Sequence, residues 1–135
     1  MICLDTNAVI TVFNEPASRV EQRLRAALKG TPPVAISSVV LFELWYGAVK
    51  SARTEHNLRR IEEFLVAPIE VLPFEPDDAR EAGDIRAALE RAGAPIGPYD
   101  VLIAAQARRR NATLVTANER EFLRVPGLKT EDWAA

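Results

Sequence analysis

The sequence predicts an α/β fold in which helices flank a mostly parallel central sheet, and three observations lead there. Short apolar runs alternate with helical patterns along the chain, Gly, Pro and Ser punctuate the junctions, and no repeat, low-complexity segment or long linker divides the 135 residues. Strands separated by helices line up in parallel and bury both faces, so they read as continuous apolar runs. A chain of this length is expected to form one domain, residues 1–135, with a core that needs no staples.

Taken in order, residues 1–4 form an apolar strand ending at Asp5. Residues near 6–13 and 17–28 read as helices, the second with Val20, Leu24, Ala27 and Leu28 on one face. Gly30 closes that helix, and Pro32 and Pro33 prevent its continuation. Residues 34–36 are a short buried strand, after which Ser37 or Ser38 can N-cap a helix over about 39–49. An amphipathic helix around 55–65 turns Leu58, Ile61 and Leu65 inward. Residues 69–74 are a strand interrupted at Pro73. Pro76 suits a first helical position, with Asp77 and Asp78 at the helix start. Ala82, Ile85, Leu89 and Ala92 mark the core stripe of that helix, and Gly93 ends it. Gly97 and Pro98 open a helix through about Arg109. Residues 113–116 are strand-like, a helical turn lies near 119–123, and 128–130 can add an edge strand.

Composition sets bounds on function. Apolar residues make up 48% and charged residues 27%, the profile of a globular chain. The one cysteine, Cys3, excludes an internal disulfide and any four-thiolate zinc site, and suits a reducing compartment. No leader pattern opens the chain and no apolar run is long enough to span a bilayer, so a cytoplasmic location is expected, with no membrane. A net charge of −2 is unusual for a nucleic-acid binder. Two features weaken that objection. A carboxylate site carries negative charge of its own until it loads cations, and the arginines cluster, as Arg19, Arg23 and Arg25 and as Arg108, Arg109 and Arg110.

In an open parallel sheet, ligands collect at the carboxyl ends of strands, where helices begin. Asp5 follows the first strand, Asp100 stands just inside a helix, and Thr116 and Asn118 end the last main strand. Glu43 lies within a helix among Val39, Val40, Leu41, Phe42, Leu44 and Trp45, where a carboxylate needs a partner or a metal. Each residue also has an ordinary local role. Asp5 can N-cap a helix, Asp100 can complement a helix dipole, Asn118 can serve a turn, and Glu43 can pair with an arginine. Together they match what phosphodiester hydrolysis requires: a nucleophilic water, stabilised charge on phosphorus and a leaving oxygen that accepts charge. Two hard cations about 3.5–4 Å apart meet all three needs, and hard cations take oxygen ligands. Competing chemistries lack their residues. The only histidine, His56, sits in a charged helical segment, and no Gly-rich phosphate loop is present. Cys3 reads as a core residue.

These stretches together resemble the PIN-domain ribonucleases, and in particular the VapC toxins of bacterial type II toxin–antitoxin pairs. The resembling segments are Leu4-Asp5-Thr6-Asn7, Ile36-Ser37-Ser38-Val39 running to Glu43-Leu44 and Gly47, Pro95-Ile96-Gly97-Pro98-Tyr99-Asp100 running to Ile103-Ala104-Ala105, and Leu114-Val115-Thr116-Ala117-Asn118 with Glu121-Phe122. The ending from Val125 to Trp133 is also similar. The resemblance implies a PIN-like α/β/α domain, an acidic pocket for Mg²⁺ or Mn²⁺, and endonucleolytic cutting of RNA, often in transfer-RNA anticodon regions. It also implies a VapB-like antitoxin that blocks the pocket, with an antitoxin arginine reaching the acids, and a toxin homodimer assembled with it into a hetero-oligomer. By matched position, Asp5, Glu43 and Asp100 carry over as metal-binding acids, with Thr116 orienting a ligand or water.

One position departs from the pattern. The family often has a fourth acid where this chain has Asn118, whose amide carbonyl can ligate a cation without adding charge. Glu121, one turn later, can substitute, and Asn7 is a further supporting group. Two other readings compete: a non-catalytic binding module on the same fold, and a metal-dependent phosphatase using Asp5 as nucleophile. The second lacks an acid at Asn7, where such enzymes commonly place one. Leu41, Phe42, Trp45 and Tyr46 wrap more than half of the helix around Glu43. Most are expected in the core, and any remainder exposed beside the pocket suits an amphipathic antitoxin helix.

Overall fold

A computed structural model describes all residues, Met1–Ala135. The elements run β1 (Ile2–Leu4), α1 (Thr6–Asn14), α2 (Arg19–Ala27), β2 (Val34–Ser37), α3 (Ser38–Lys50) and α4 (Thr54–Val66), then β3 (Ile69–Leu72), α5 (Pro76–Arg91), α6 (Pro98–Arg109), β4 (Thr113–Val115), α7 (Glu119–Phe122) and β5 (Lys129–Glu131). All five strands form one sheet in the order β3-β2-β1-β4-β5, and every pairing is parallel. The central β1 aligns Ile2 with Val34 on one side and with Thr113 on the other. The chain builds outward from β1 through β2 to β3, then returns to place β4 against the opposite edge of β1. That reversal makes β1 and β4 the switch point, where a crevice opens beyond their carboxyl ends.

The strands are short, three or four residues each, and the core around them is largely apolar. Leu4, Ala35, Ile36, Leu114 and Val115 are buried in the sheet, and Val9, Val40, Ile85, Ile103, Ala104 and Ala105 cover it from the helices. One cluster of 31 buried apolar residues runs through every element except β5, which Leu128 and Trp133 flank in the core. Caps set the helix starts. Ser37 accepts the Val39 amide at 2.9 Å, and Ser18 accepts that of Glu21 at 3.2 Å. No helix is long and apolar enough to cross a membrane.

Three details differ from the periodicity. α2 begins at Arg19 rather than 17, because Ala17 adopts a positive φ of 63° in the turn before the Ser18 cap. In α4 it is Phe64, with Ile61, that is buried, while Leu58 and Leu65 are only partly so. Ala92 is exposed at the end of α5. The most buried residue at that helix's start is instead a charged one, Asp78, which is fully buried.

The clustered arginines also pair with acids of the same chain. Arg108 pairs with Glu81 at 2.8 Å, and Arg109 and Arg110 both hold Asp78, at 2.6 and 2.9 Å. Arg23 is paired with Glu131 and Arg25 with Glu21. Five of the six clustered arginines are thus committed to internal acids. Only Arg19 has no such partner.

Candidate active site

Asp5 leaves the end of β1 and caps α1, its Oδ1 accepting the Ala8 amide at 2.8 Å. The local and the functional explanations therefore coincide in one side chain, since one oxygen is enough for the cap. At 4% exposure Asp5 is largely cut off from water. Burial raises its pKa, against the lowering effect of hydrogen bonds from Thr116 and Ala8, and the charges of Glu43 and Asp132 add to the rise.

Glu43 projects from the second turn of α3 and is partly buried. It pairs with no arginine. Its Oε1 instead accepts the Thr6 hydroxyl at 2.6 Å, which ties α3 to the first turn of α1. Thr6 escaped the reading of the sequence because its partner lies 37 residues away; its adjacency to Asp5 was the available signal.

Asp100 sits at the third position of α6, after Gly97 at the cap and Pro98 at the first turn. A Cβ on Gly97 would lie 3.2 Å from Asp100 Oδ2, so the glycine leaves room for the carboxylate to fold back over the helix start. Burial, then the charges of Glu43, Asp5 and Glu121, push the Asp100 carboxyl up to about 6. The charges of those three acids are felt at Asp100, so acids from the end of β1, from α3, from α6 and from α7 share one side of the molecule.

Thr116, buried just after β4, accepts the Asn118 amide on its hydroxyl at 2.9 Å. Asn118 in turn donates from Nδ2 to Glu121 Oε2 at 2.9 Å. The amide that stands where an acid was expected therefore steadies an acid one turn along and leaves its own carbonyl oxygen open. Asn7 is exposed on α1, and only its backbone carbonyl is engaged, by Thr11; no hydrogen bond links its side chain to the acids. Asp132, near Asp5, went unnoticed because it lies beyond the last strand. His56 is exposed on α4, and burial pushes the Cys3 thiol up to about 11, which keeps it protonated near neutral pH.

The donor set suits a hard divalent cation. It consists of oxygens only, and none of Asp5, Glu43, Asp100 or Glu121 has a lysine or arginine partner within 4.0 Å. That surplus charge is what a cation would neutralise. As the side chains stand, no three of the acids form a coordination cluster.

A pH dependence follows. Asp5 and Asp100 hold protons more tightly folded than unfolded, so the folded state is favoured most below about pH 3.9, the unfolded value. That advantage is lost as pH rises through about 6, the Asp100 value. In divalent-free buffer the melting temperature of wild-type protein should fall between pH 4 and 6.5 more steeply than that of Asp100→Asn, as calorimetry would read it. Equal slopes would contradict the mutual repulsion.

Fold and site together define a PIN-domain protein, and residues 2–128 match the model of that family, the PIN domain. The chain is 48% identical over 132 residues to the tRNA(fMet)-specific endonuclease VapC of Shigella flexneri, covering 97% of this chain and 96% of that one. It is 42% identical over 130 residues to the protein of the same name from Salmonella typhimurium, at 96% coverage of each. Among solved structures it is similar to VapBC2 from Rickettsia felis bound to a DNA fragment from its promoter, with a TM-score of 0.91, 38% identity and coverage of 98% and 99%. DNA-bound VapBC from Salmonella typhimurium gives a TM-score of 0.87 at 42% identity, with coverage of 98% and 97%. The chain belongs to the PIN-domain family, among its VapC members.

Proposed function

We propose that this protein is a divalent-metal-dependent endoribonuclease, the toxin of a type II toxin–antitoxin pair, which hydrolyses RNA phosphodiester bonds in transfer RNA. The observation that carries the reading is the convergence of four unpaired carboxylates at the sheet's switch point, where Asp100 is pushed up to about 6 by its neighbours' charge. The endonuclease names of the relatives supply the reaction and the transfer-RNA substrate. The working unit is residues 1–135, with one sheet and one core.

Asp5, Glu43 and Asp100 would hold the cation, Mg²⁺ or Mn²⁺, with Glu121 and the Asn118 carbonyl as further donors. When bound, the cation supplies activation of water and neutralisation of charge on the phosphate. The protein's own groups do the positioning. The Ala8 amide and Thr116 fix Asp5, the Thr6 hydroxyl fixes Glu43, and Asn118 fixes Glu121. A VapB-like antitoxin is the proposed protein partner, as in the VapBC structures. A cleft of ≈ 220 Å³ that reaches Glu43 is lined half by apolar residues, among them Phe13, Leu44 and Ile61, and half by others that include Asn57 and Arg60, a mixed surface suited to an amphipathic segment.

The test is cleavage of purified transfer RNA with Mn²⁺ or Mg²⁺ and with EDTA, followed by analysis of the product ends. Cleavage should depend on the cation and leave 5′-phosphate and 3′-hydroxyl ends, because water attacks in place of the ribose hydroxyl. Equal cleavage in EDTA, or 2′,3′-cyclic phosphate ends, would refute the mechanism.

A further inference from the structure

The cleft that reaches Glu43 holds a charge that the carboxylate chemistry does not use. Arg60 lines it from α4, and among the lining residues it alone is a cation. No carboxylate lies within 4.0 Å of it. Neutral groups hold its guanidinium instead. It lies over the Phe13 ring, 5.1 Å from the ring centre. It donates from Nη2 to Asn14 Oδ1 at 3.1 Å and from Nη1 to Asn57 Oδ1 at 3.5 Å. These contacts orient the planar fork without cancelling its charge. A guanidinium carries more N–H groups than they use, so donors remain for a ligand.

The wall of the cleft is open beside it. Gly47 stands in the interior of α3, and a Cβ there would meet nothing within 4 Å. Glycine weakens a helix interior, and packing within the chain does not require it here. Close approach of a ligand to the α3 backbone accounts for it.

Charge selects the ligand. The protein carries a net charge of −2 and gathers acids at its site, while Arg108, Arg109 and Arg110 are tied to acids on α5. A polyanion is repelled from such a surface unless it meets a cation that no acid has neutralised. Arg60 is that cation in the cleft of Glu43, and its fork matches two oxygens of one phosphodiester. The scissile phosphate belongs with the metal-binding acids, so the phosphate at Arg60 is another one on the same strand.

We propose that the Arg60 guanidinium is a phosphate anchor, binding a non-reacting backbone phosphate of the RNA and thereby fixing the scissile bond against Asp5, Glu43 and Asp100. This inference rests on the ribonuclease reading and adds to it a residue outside the acids. A contact to a phosphate that does not react is made equally in substrate and transition state, so it acts on KM and not on kcat.

The experiment follows transfer-RNA cleavage with Mn²⁺ over a series of potassium chloride concentrations. It compares wild-type protein with Arg60→Gln, Arg60→Lys and Arg59→Gln, and thermal melting checks each fold. Arg59 is exposed on the same helix and does not line the cleft, so Arg59→Gln removes the same net charge elsewhere. Arg60→Gln is expected to raise KM about tenfold or more, with kcat within about twofold of wild type. It should also flatten the slope of log KM against log salt by about 0.7–0.9, the contribution of one phosphate. Arg60→Lys keeps the charge and loses the fork, so its slope should match wild type while its KM lies between the other two. Arg59→Gln should leave both quantities near wild type. Equal KM and equal slopes for Arg60→Gln and Arg59→Gln would overturn the anchor and leave the guanidinium to a protein partner. A loss of kcat and melting temperature with KM unchanged would overturn it too, making Arg60 a packing residue. Should Arg60→Gln fail to fold, Arg60→Lys decides, since a wild-type KM there would refute the fork. Wild-type protein that cleaves no transfer RNA would remove the ribonuclease reading and the anchor with it, a result distinct from failure at Arg60 alone.

Discussion

Asparagine in place of Asp100 is expected to cut RNA hydrolysis by about 10³-fold or more while leaving the fold at least as stable as wild type. The two effects separate because the side chain has the same shape without the charge. Loss of charge removes a cation ligand. It also relieves the repulsion from Glu43, Asp5 and Glu121 that pushes the Asp100 carboxyl up to about 6. In divalent-free buffer near neutral pH the variant should melt at the same temperature as wild type or higher. A residue kept for structure alone would show the opposite, with activity retained and stability lost.

Asp5 gives the companion result, because its two roles can be separated by choice of substitution. Asn caps a helix about as well as Asp, so Asp5→Asn should keep the bond to the Ala8 amide and lose cleavage. Asp5→Ala should lose both and be destabilised by about 1 kcal/mol. Cleavage assays on transfer RNA and thermal melts of the three proteins check this. Asp100→Asn that cleaves within tenfold of wild type would sink the carboxylate site.

What the sequence could disclose divides by range. Asp5, Asp100 and Thr116 were legible because each role is local: a strand exit, a Gly-Pro helix start, the end of a short apolar run. Glu43 was legible through the cost of a carboxylate among apolar neighbours. Pairings made in three dimensions were not. The Thr6 bond to Glu43 spans 37 residues, and nothing in the spacing says that Asn118 turns its amide to Glu121. The same limit applies to α3, where Leu41, Phe42, Trp45 and Tyr46 are alike in the sequence. Only packing against α1, α4 and α6 separates the partly buried Leu41 and Trp45 from the exposed Phe42 and Tyr46. Nor does the Arg108–Arg110 triplet announce its partners, since a basic run looks the same whether or not it pairs with a buried acid such as Asp78.

That buried acid carries the largest expected effect on stability. Asp78 is fully buried, and burial alone would raise its pKa. The Arg110 guanidinium, the Glu75 amide and Arg109 instead hold it well below the usual carboxylate range. Its oxygens accept from Arg109 Nε at 2.6 Å, Arg110 at 2.9 Å and the Glu75 amide at 2.9 Å, with Gln106 adding a bond at 3.3 Å. One carboxylate thus joins the start of α5 to the end of α6. Asp78→Ala removes the charge and leaves both guanidiniums with Glu75 as their nearest acid, at the longer distances of 3.5 and 3.4 Å. Breaking a buried pair costs roughly 3–5 kcal/mol, and the lower end applies because both arginines remain partly in water. Against a total of about 5–15 kcal/mol, such a loss is large. Asp78→Asn, which can still accept the Glu75 amide, should lose less. The sign with pH is opposite to that at Asp100. Stability from Asp78 is complete above about pH 3.9, the unfolded value, and is lost only as pH falls through its depressed folded value. Urea unfolding at pH 7 should therefore show a deficit of about 3 kcal/mol for Asp78→Ala, which shrinks in acid as the wild type loses the same charge. A deficit that stayed constant down to pH 2 would show that packing, and not the ion pair, joins α5 to α6.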